Sequence, residues 1–253
     1  MKFSVYQVSH KGGRALNEDR LGYSYTRDAA LLVLADGMGG HPDGEKAAEL
    51  AVQTFNQRFL AAARPALADV PDFLVHTLHA ANQVIVDYAA SQGLSDNPRT
   101  TLVAALLQGG WLHAIHVGDS RLYWVRAGRL LERTRDHSWR EQAGLLRSVP
   151  QRLDRSLLFT SLGSPTPPLY DLGRPAHLCE GDRLLLCSDG LWSVLDDGDI
   201  AARLGAGPLE RAVPGLAELA LERGGRHGDN VSLLALQWET PDACASGQPA
   251  PDA

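Results

Sequence analysis

Strand-like and helix-like segments in this chain come in blocks and do not alternate. Residues 3–8 (FSVYQV) and 21–25 (LGYSY) alternate apolar and polar side chains as half-buried strands do, and residues 30–35 form a fully apolar run. Two long helical patterns follow. In GEKAAELAVQTFNQRFLAAA, Ala48, Val52, Phe55 and Phe59 fall on one helical face. From Pro71 to about Ser91, Leu74, Leu78, Ala81, Ile85 and Tyr88 form a second stripe, with Asp69 placed to cap it. Strands then crowd again at 100–107, 111–117 and 121–126, punctuated by Gly109-Gly110, Gly118-Asp119 and Gly128. Residues 182–190 (DRLLLCSDG) read as a strand running into Asp-Gly. Helices are predicted near 196–203 and from Pro208 to about Arg223, and NVSLLALQW (230–238) closes the pattern as a strand. Parallel strands need long, usually helical, crossovers. Strands in runs therefore predict α+β layers on largely antiparallel sheets rather than a doubly wound fold.

A chain of 253 residues, 44% hydrophobic, is long enough to bury a core in one globular domain. The net charge of -6 comes with scattered Lys and Arg and no basic block, which argues against nucleic acid and anionic membranes as partners. No apolar run reaches bilayer-spanning length, and MKFSVYQVSH lacks a signal-peptide core. Cys179, Cys187 and Cys244 are few, odd in number and unclustered, as free thiols in a reducing compartment are. A cytoplasmic protein is expected, with one domain over 1–239 and a disordered tail, 240–253, of small residues and proline.

The apolar runs end in carboxylates. AALLVLADGMGG carries Asp36, LLLCSDG carries Asp189, and HGDN places Asp229 before the last strand. HVGDSR sets Asp119 in a tight turn, and RALNED sets Glu18 and Asp19 between the first two strands. Acids at strand ends can converge from distant sequence. Clustered without partners, they would repel and desolvate at high cost. Hard divalent cations relieve this. Mg²⁺ and Mn²⁺ take oxygen ligands, and two ions sharing a carboxylate can activate a bridging water toward phosphorus. No His/Cys set stands at zinc spacing. Arg14, four residues before Glu18, could supply a planar clamp for a phosphate.

Together these segments resemble a metal-dependent Ser/Thr protein phosphatase of the PPM, or protein phosphatase 2C-like, family in its bacterial form. The matching stretches are RALNED (14–19), VLADGMGGH (33–41), TTLVAAL (100–106), HVGDSRLY (116–123), TRDHS (134–138), LLLCSDGLW (185–192) and GDNVSLL (228–234), in the family's order. The resemblance implies a four-layer sandwich of two central antiparallel β-sheets flanked by helices, with two Mn²⁺ or Mg²⁺ ions in a cleft at one end. It implies that Asp36 bridges the ions, that the Gly37 carbonyl binds the first, and that Asp189 and Asp229 bind the second. Asp19, through water, and Glu18 would support them, Asp119 would serve a third ion with Asp189, and Arg14 would bind phosphate. A metal-bridging hydroxide would attack phosphoserine or phosphothreonine on proteins in line, without a phosphoenzyme, opposing a bacterial Ser/Thr kinase. The family setting adds that cognate kinase, a forkhead-associated-domain protein and, in some sets, type VI secretion; a monomer is expected.

Three departures bear on the detail. Met38 stands where animal members place a histidine, which leaves His41 either to transfer a proton or to pack its loop. Arg99-Thr100-Thr101 replaces Gly-Thr-Thr, with Arg99 expected to face solvent. The flap after TRDHS, residues 139–163, is short and ends SLLFTSLG. His113 and His116 alternate on a strand and are expected to pack. His137 is expected to make a structural hydrogen bond. A phosphoprotein-binding pseudophosphatase would have lost Asp36, Asp189 or Asp229, and a nuclease would need a basic groove; neither condition is met.

Overall fold

The computed structural model describes residues 1–39, 41, 43–139, 141 and 158–241. The sequence also predicts a short helix near 138–147; most of it, most of the flap, Cys244 and most of the tail fall outside the described residues. The elements run β1 (Phe3–His10), β2 (Asp19–Tyr25), β3 (Ala29–Asp36), α1 (Gly44–Ala62), α2 (Val70–Gln92), β4 (Leu102–Gln108), β5 (Trp111–Val117), β6 (Arg121–Arg126) and β7 (Arg129–Arg133). Then come β8 (Asp171–Leu172), β9 (Ala176–His177), β10 (Arg183–Cys187), α3 (Asp189–Trp192), α4 (Asp197–Gly205), α5 (Leu209–Gly224), a 3₁₀ turn (Gly225–His227) and β11 (Val231–Trp238).

Two antiparallel sheets form the centre. One has the order β1-β11-β10-β6-β7, the other β2-β3-β4-β5-β8, with β9 also paired to β5. The side-chain period of two explains why β3 and β11 are apolar throughout. In β3, Leu31 and Val33 pack against α1 and α2, while Ala30, Leu32 and Leu34 pack between the sheets. In β11, Val231, Leu233 and Ala235 face the α4 and α5 side, while Leu234, Leu236 and Trp238 face the other sheet. Both faces of each sheet are covered, which makes four layers. Asp69 caps α2 as its position predicts, its carboxylate accepting from the Asp72 N–H at 2.9 Å.

Asp36 continues the face of Leu32 and Leu34, so it emerges where the inter-sheet core ends. Asp19 lies opposite it in the β2–β3 register. The turn between β5 and β6 brings Asp119 to the same end, and β10 delivers Asp189. Cys187, two residues earlier, is buried on the α4 and α5 side, where burial pushes its thiol up; it is a core residue.

Candidate metal centre

These strand ends close around a cleft of ≈ 570 Å³. Glu18, Asp36, Asp119, Asp136, Asp189 and Asp229 line it, and Arg14 is the one cationic side chain among the described lining residues. Asp136 is already neutralised: Arg121 holds both its oxygens at 2.8 Å. Arg121 also stacks on Trp192, 3.8 Å from the ring centroid. Of the other lining acids, only Asp229 has an ion partner among the described residues, Arg14.

The backbone under Asp36 is fixed on both sides. Its N–H donates to Thr101 Oγ1 at 3.1 Å, and its carbonyl accepts from Thr101 N–H at 2.8 Å and Thr100 Oγ1 at 2.9 Å. Thr101 Oγ1 in turn meets Ser120 Oγ at 2.7 Å. Gly37 follows because the chain has no room there: a Cβ would lie 2.4 Å from the Gly44 carbonyl oxygen. The same holds after Asp189, where a Cβ on Gly190 would lie 2.1 Å from the Asn230 carbonyl.

Burial, and then the neighbouring acids, drive the Asp36 carboxyl well above its ordinary range, with Asp19 the nearest contributor; Asp189 rises in the same way, beside Asp119. Burial raises Asp119 to about 7 and Asp19 to about 6, although Ser188 Oγ donates to Asp19 Oδ2 at 2.8 Å. Glu18 is also raised, by burial and Glu45. Asp19 Oδ1 is buried with no donor at all. Oxygen donors that must hold protons when alone, one of them orphaned, are the chemistry that hard divalent cations satisfy. The residues present fit such ions.

Arg14 Nη2 lies 2.5 Å from Asp229 Oδ2. Its loop is pinned by Asn230, which sequence reasoning assigned no role. Asn230 Nδ2 donates to the Lys11 and Leu16 carbonyls at 2.8 and 2.9 Å, and Oδ1 accepts from Glu18 N–H at 2.8 Å. Thr101, Ser120 and Ser188 are likewise supports; they lie within TTLVAAL, HVGDSRLY and LLLCSDGLW, but sequence reasoning gave them no role.

His41 stands outside the cleft lining, with Nε2 3.8 Å from Asp96. Arg99 also stays out of the lining and sits 3.9 Å from Asp96. His137 accepts from Gly118 N–H through Nδ1 at 3.2 Å, the structural hydrogen bond expected of it. His227 borders a smaller cavity that shares Asp189 and Asp229 with the cleft. His116, His137 and Asp171 form a second trio whose ligand atoms lie within 4.8 Å of one another. Their geometry does not converge on an ion. The two rings stack at 4.6 Å with planes 14° apart, so their in-plane lone pairs run side by side. His116 Nε2 donates to the Arg135 carbonyl, and the Gly118 bond leaves the His137 proton on Nε2, 3.4 Å from Asp171.

The protein phosphatase 2C family model matches residues 6–211. The chain belongs to the protein phosphatase 2C family. It is a metal-dependent serine/threonine protein phosphatase. A putative protein phosphatase 2C-type protein of Streptococcus pyogenes is 30% identical over 236 residues, covering 90% of this chain and 94% of the relative. The serine/threonine protein phosphatase PstP of Mycobacterium tuberculosis is 35% identical over 230 residues, which are 87% of this chain and 42% of PstP. The catalytic domain of PstP, solved in complex with two manganese ions, superposes with a TM-score of 0.77 at 32% identity, covering 93% of this chain and 97% of that one. PppA, described as a key regulatory component of the type VI secretion system in Pseudomonas aeruginosa, superposes with a TM-score of 0.76 at 28% identity, covering 94% of this chain and 98% of that one. The two antiparallel sheets and flanking helices are those of this family, as the motif order implied.

Proposed function

We propose that the acid cleft is the catalytic centre for phosphoserine and phosphothreonine hydrolysis, with Asp36, the Gly37 carbonyl, Asp189 and Asp229 holding two Mn²⁺ or Mg²⁺ ions. Asp19 and Glu18 would steady the water around them, and Asp119 with Asp189 would hold a third. The observation that carries this reading is the convergence of strand-end carboxylates, from segments far apart in sequence, on one cleft in which Arg14 is the one cationic side chain among the described lining residues. When bound, the ions would supply an attacking water acidic enough to work at neutral pH and would offset the charge of the phosphoryl oxygens.

The chain's own residues do the rest. Asp36, clamped by Thr100 and Thr101, presents its carboxylate without backbone play. Arg14 exchanges Asp229 for the substrate phosphate, and its two-pronged guanidinium orients the phosphoryl group. Asn230 keeps the Arg14 loop seated while that exchange occurs. Because His41 faces Asp96, the proton for the departing serine or threonine oxygen is assigned to solvent in the cleft.

Phosphorylated proteins are the substrates in this reading, and a cytoplasmic Ser/Thr kinase supplies them. No helix among the described residues is long and apolar enough to cross a membrane, which accords with that setting. The likeness to PppA supports a part in regulating type VI secretion; the kinase and forkhead-associated-domain partners rest on the family resemblance alone.

The test is phosphate release from a phosphothreonine peptide in EDTA, Mg²⁺ or Mn²⁺. Turnover that needs metal is expected. A folded protein inert with both metals would overturn the catalytic reading.

A further inference from the structure

A second cavity, a groove of ≈ 340 Å³, opens where the edges of the two sheets part, and it shares no lining residue with the catalytic cleft. Its floor is apolar: Leu112 and Ala114 come from β5, Leu122 and Trp124 from β6. Its lips carry three arginines, Arg133, Arg135 and Arg174, and two carboxylates, Glu132 and Asp171, the latter 3.4 Å from His137 Nε2. Arg133 is already engaged by Asp197 at 2.7 Å and Glu141 at 3.4 Å. Arg135 and Arg174 have no side-chain ion pair or hydrogen bond among the described residues, although both line the groove. A concave apolar floor with a few polar groups around it is the usual form of a small-molecule site. Two unspent guanidiniums suit a carboxylate or phosphate group.

We propose that this groove binds a small organic anion, with an apolar body on the Leu112, Ala114, Leu122 and Trp124 floor and its acidic group held by Arg135 and Arg174. The remaining polar lining selects against a bare inorganic anion. Glu132 is a carboxylate with no ion partner among the described residues. His116 gives its Nε2 proton to the Arg135 carbonyl, which leaves Nδ1 as an acceptor. Both favour a ligand that carries an N–H or O–H beside its charge. The groove and the cleft lie on opposite sides of one extended segment: Thr134 and Arg135 line the groove, Asp136 and Ser138 the cleft. An occupant therefore touches the residue next to the one that anchors Arg121.

Anilinonaphthalene sulfonate, an aromatic amine with one acidic group, is a suitable probe. The full chain would be titrated with the dye in Mn²⁺ buffer and its fluorescence followed. One saturable site per chain is expected. Arg135→Ala with Arg174→Ala should weaken it about tenfold or more. Ala114→Leu, which fills the floor, should abolish it. Turnover of para-nitrophenyl phosphate should persist in both, since neither touches the cleft. Should the alanine pair lose turnover, Arg135→Gln with Arg174→Gln replaces it. Unchanged dye affinity in the active variants, or no saturable binding by the wild type, would overturn the proposal.

Discussion

Arg14 Nη2 and Asp229 Oδ2 are 2.5 Å apart at the mouth of the cleft, so the proposed phosphate clamp rests on a proposed metal ligand. The pair keeps the guanidinium over the acids and holds Asp229 in place. Arg14→Ala removes the clamp and should lower kcat/KM about 10- to 100-fold, chiefly through KM, as loss of hydrogen bonds to a charged group does. Mn²⁺ binding should persist, because Asp229 is freed. Steady-state kinetics with calorimetry checks both parts; an unchanged kcat/KM would remove Arg14 from phosphate binding.

Metal-free protein should lose stability as pH rises. Asp19 and Asp119, ordinarily near 3.8, stand at about 6 and about 7 in the fold. Between about pH 4 and 7 the folded state therefore holds protons that the unfolded chain has released, so unfolding becomes easier as pH climbs. Cations take the place of those protons. Thermal melts in EDTA should show Tm falling across this window, and the Tm gain from Mn²⁺ growing with pH. A metal-free Tm that rises from pH 5 to 7 would contradict the burial of these acids.

Asn230→Ala deletes three hydrogen bonds to the 11–18 loop. Leaving buried backbone groups unpaired costs roughly 1–3 kcal/mol each at most sites. Urea unfolding should show a loss of about 2 kcal/mol or more, and KM should rise because Arg14 rides on that loop. Full velocity at saturating substrate, with stability still low, would separate the two effects.

Gly37→Ala would drive a methyl to 2.4 Å from a backbone carbonyl. The chain must shift there, costing about 1–3 kcal/mol as overpacking does. Mn²⁺ affinity should fall with it, since Gly37 follows Asp36 directly. Native Mn²⁺ affinity in the alanine variant would show that the loop can relax without moving the site.

The acids were legible because they stand at the ends of strand-like runs or in the turns between them, and a carboxylate there has no surface role to explain it. The layer order was legible from blocks of strands and helices. Other features carry no local signal. Strands β8 and β9 have two residues each and exist only through pairing with β5. Asn230 looks like an ordinary turn residue until the 11–18 loop folds onto it. Asp136 reads as part of a motif, but its partner Arg121 is fixed by tertiary packing. The position of His41 against Asp96 depends on a loop more than fifty residues away in sequence.

The most direct measurement of the central claim is Mn²⁺ titration of wild type and Asp189→Asn by calorimetry, with phosphothreonine-peptide turnover followed on the same samples. The account predicts two strong Mn²⁺ sites in the wild type, one of them weakened at least ~100-fold in the variant, and turnover lost with it; even indirect supports of metal ligands typically cost 10- to 100-fold. An Asp189→Asn protein that binds Mn²⁺ and turns over like the wild type would place the metal, and the chemistry, somewhere other than this cleft.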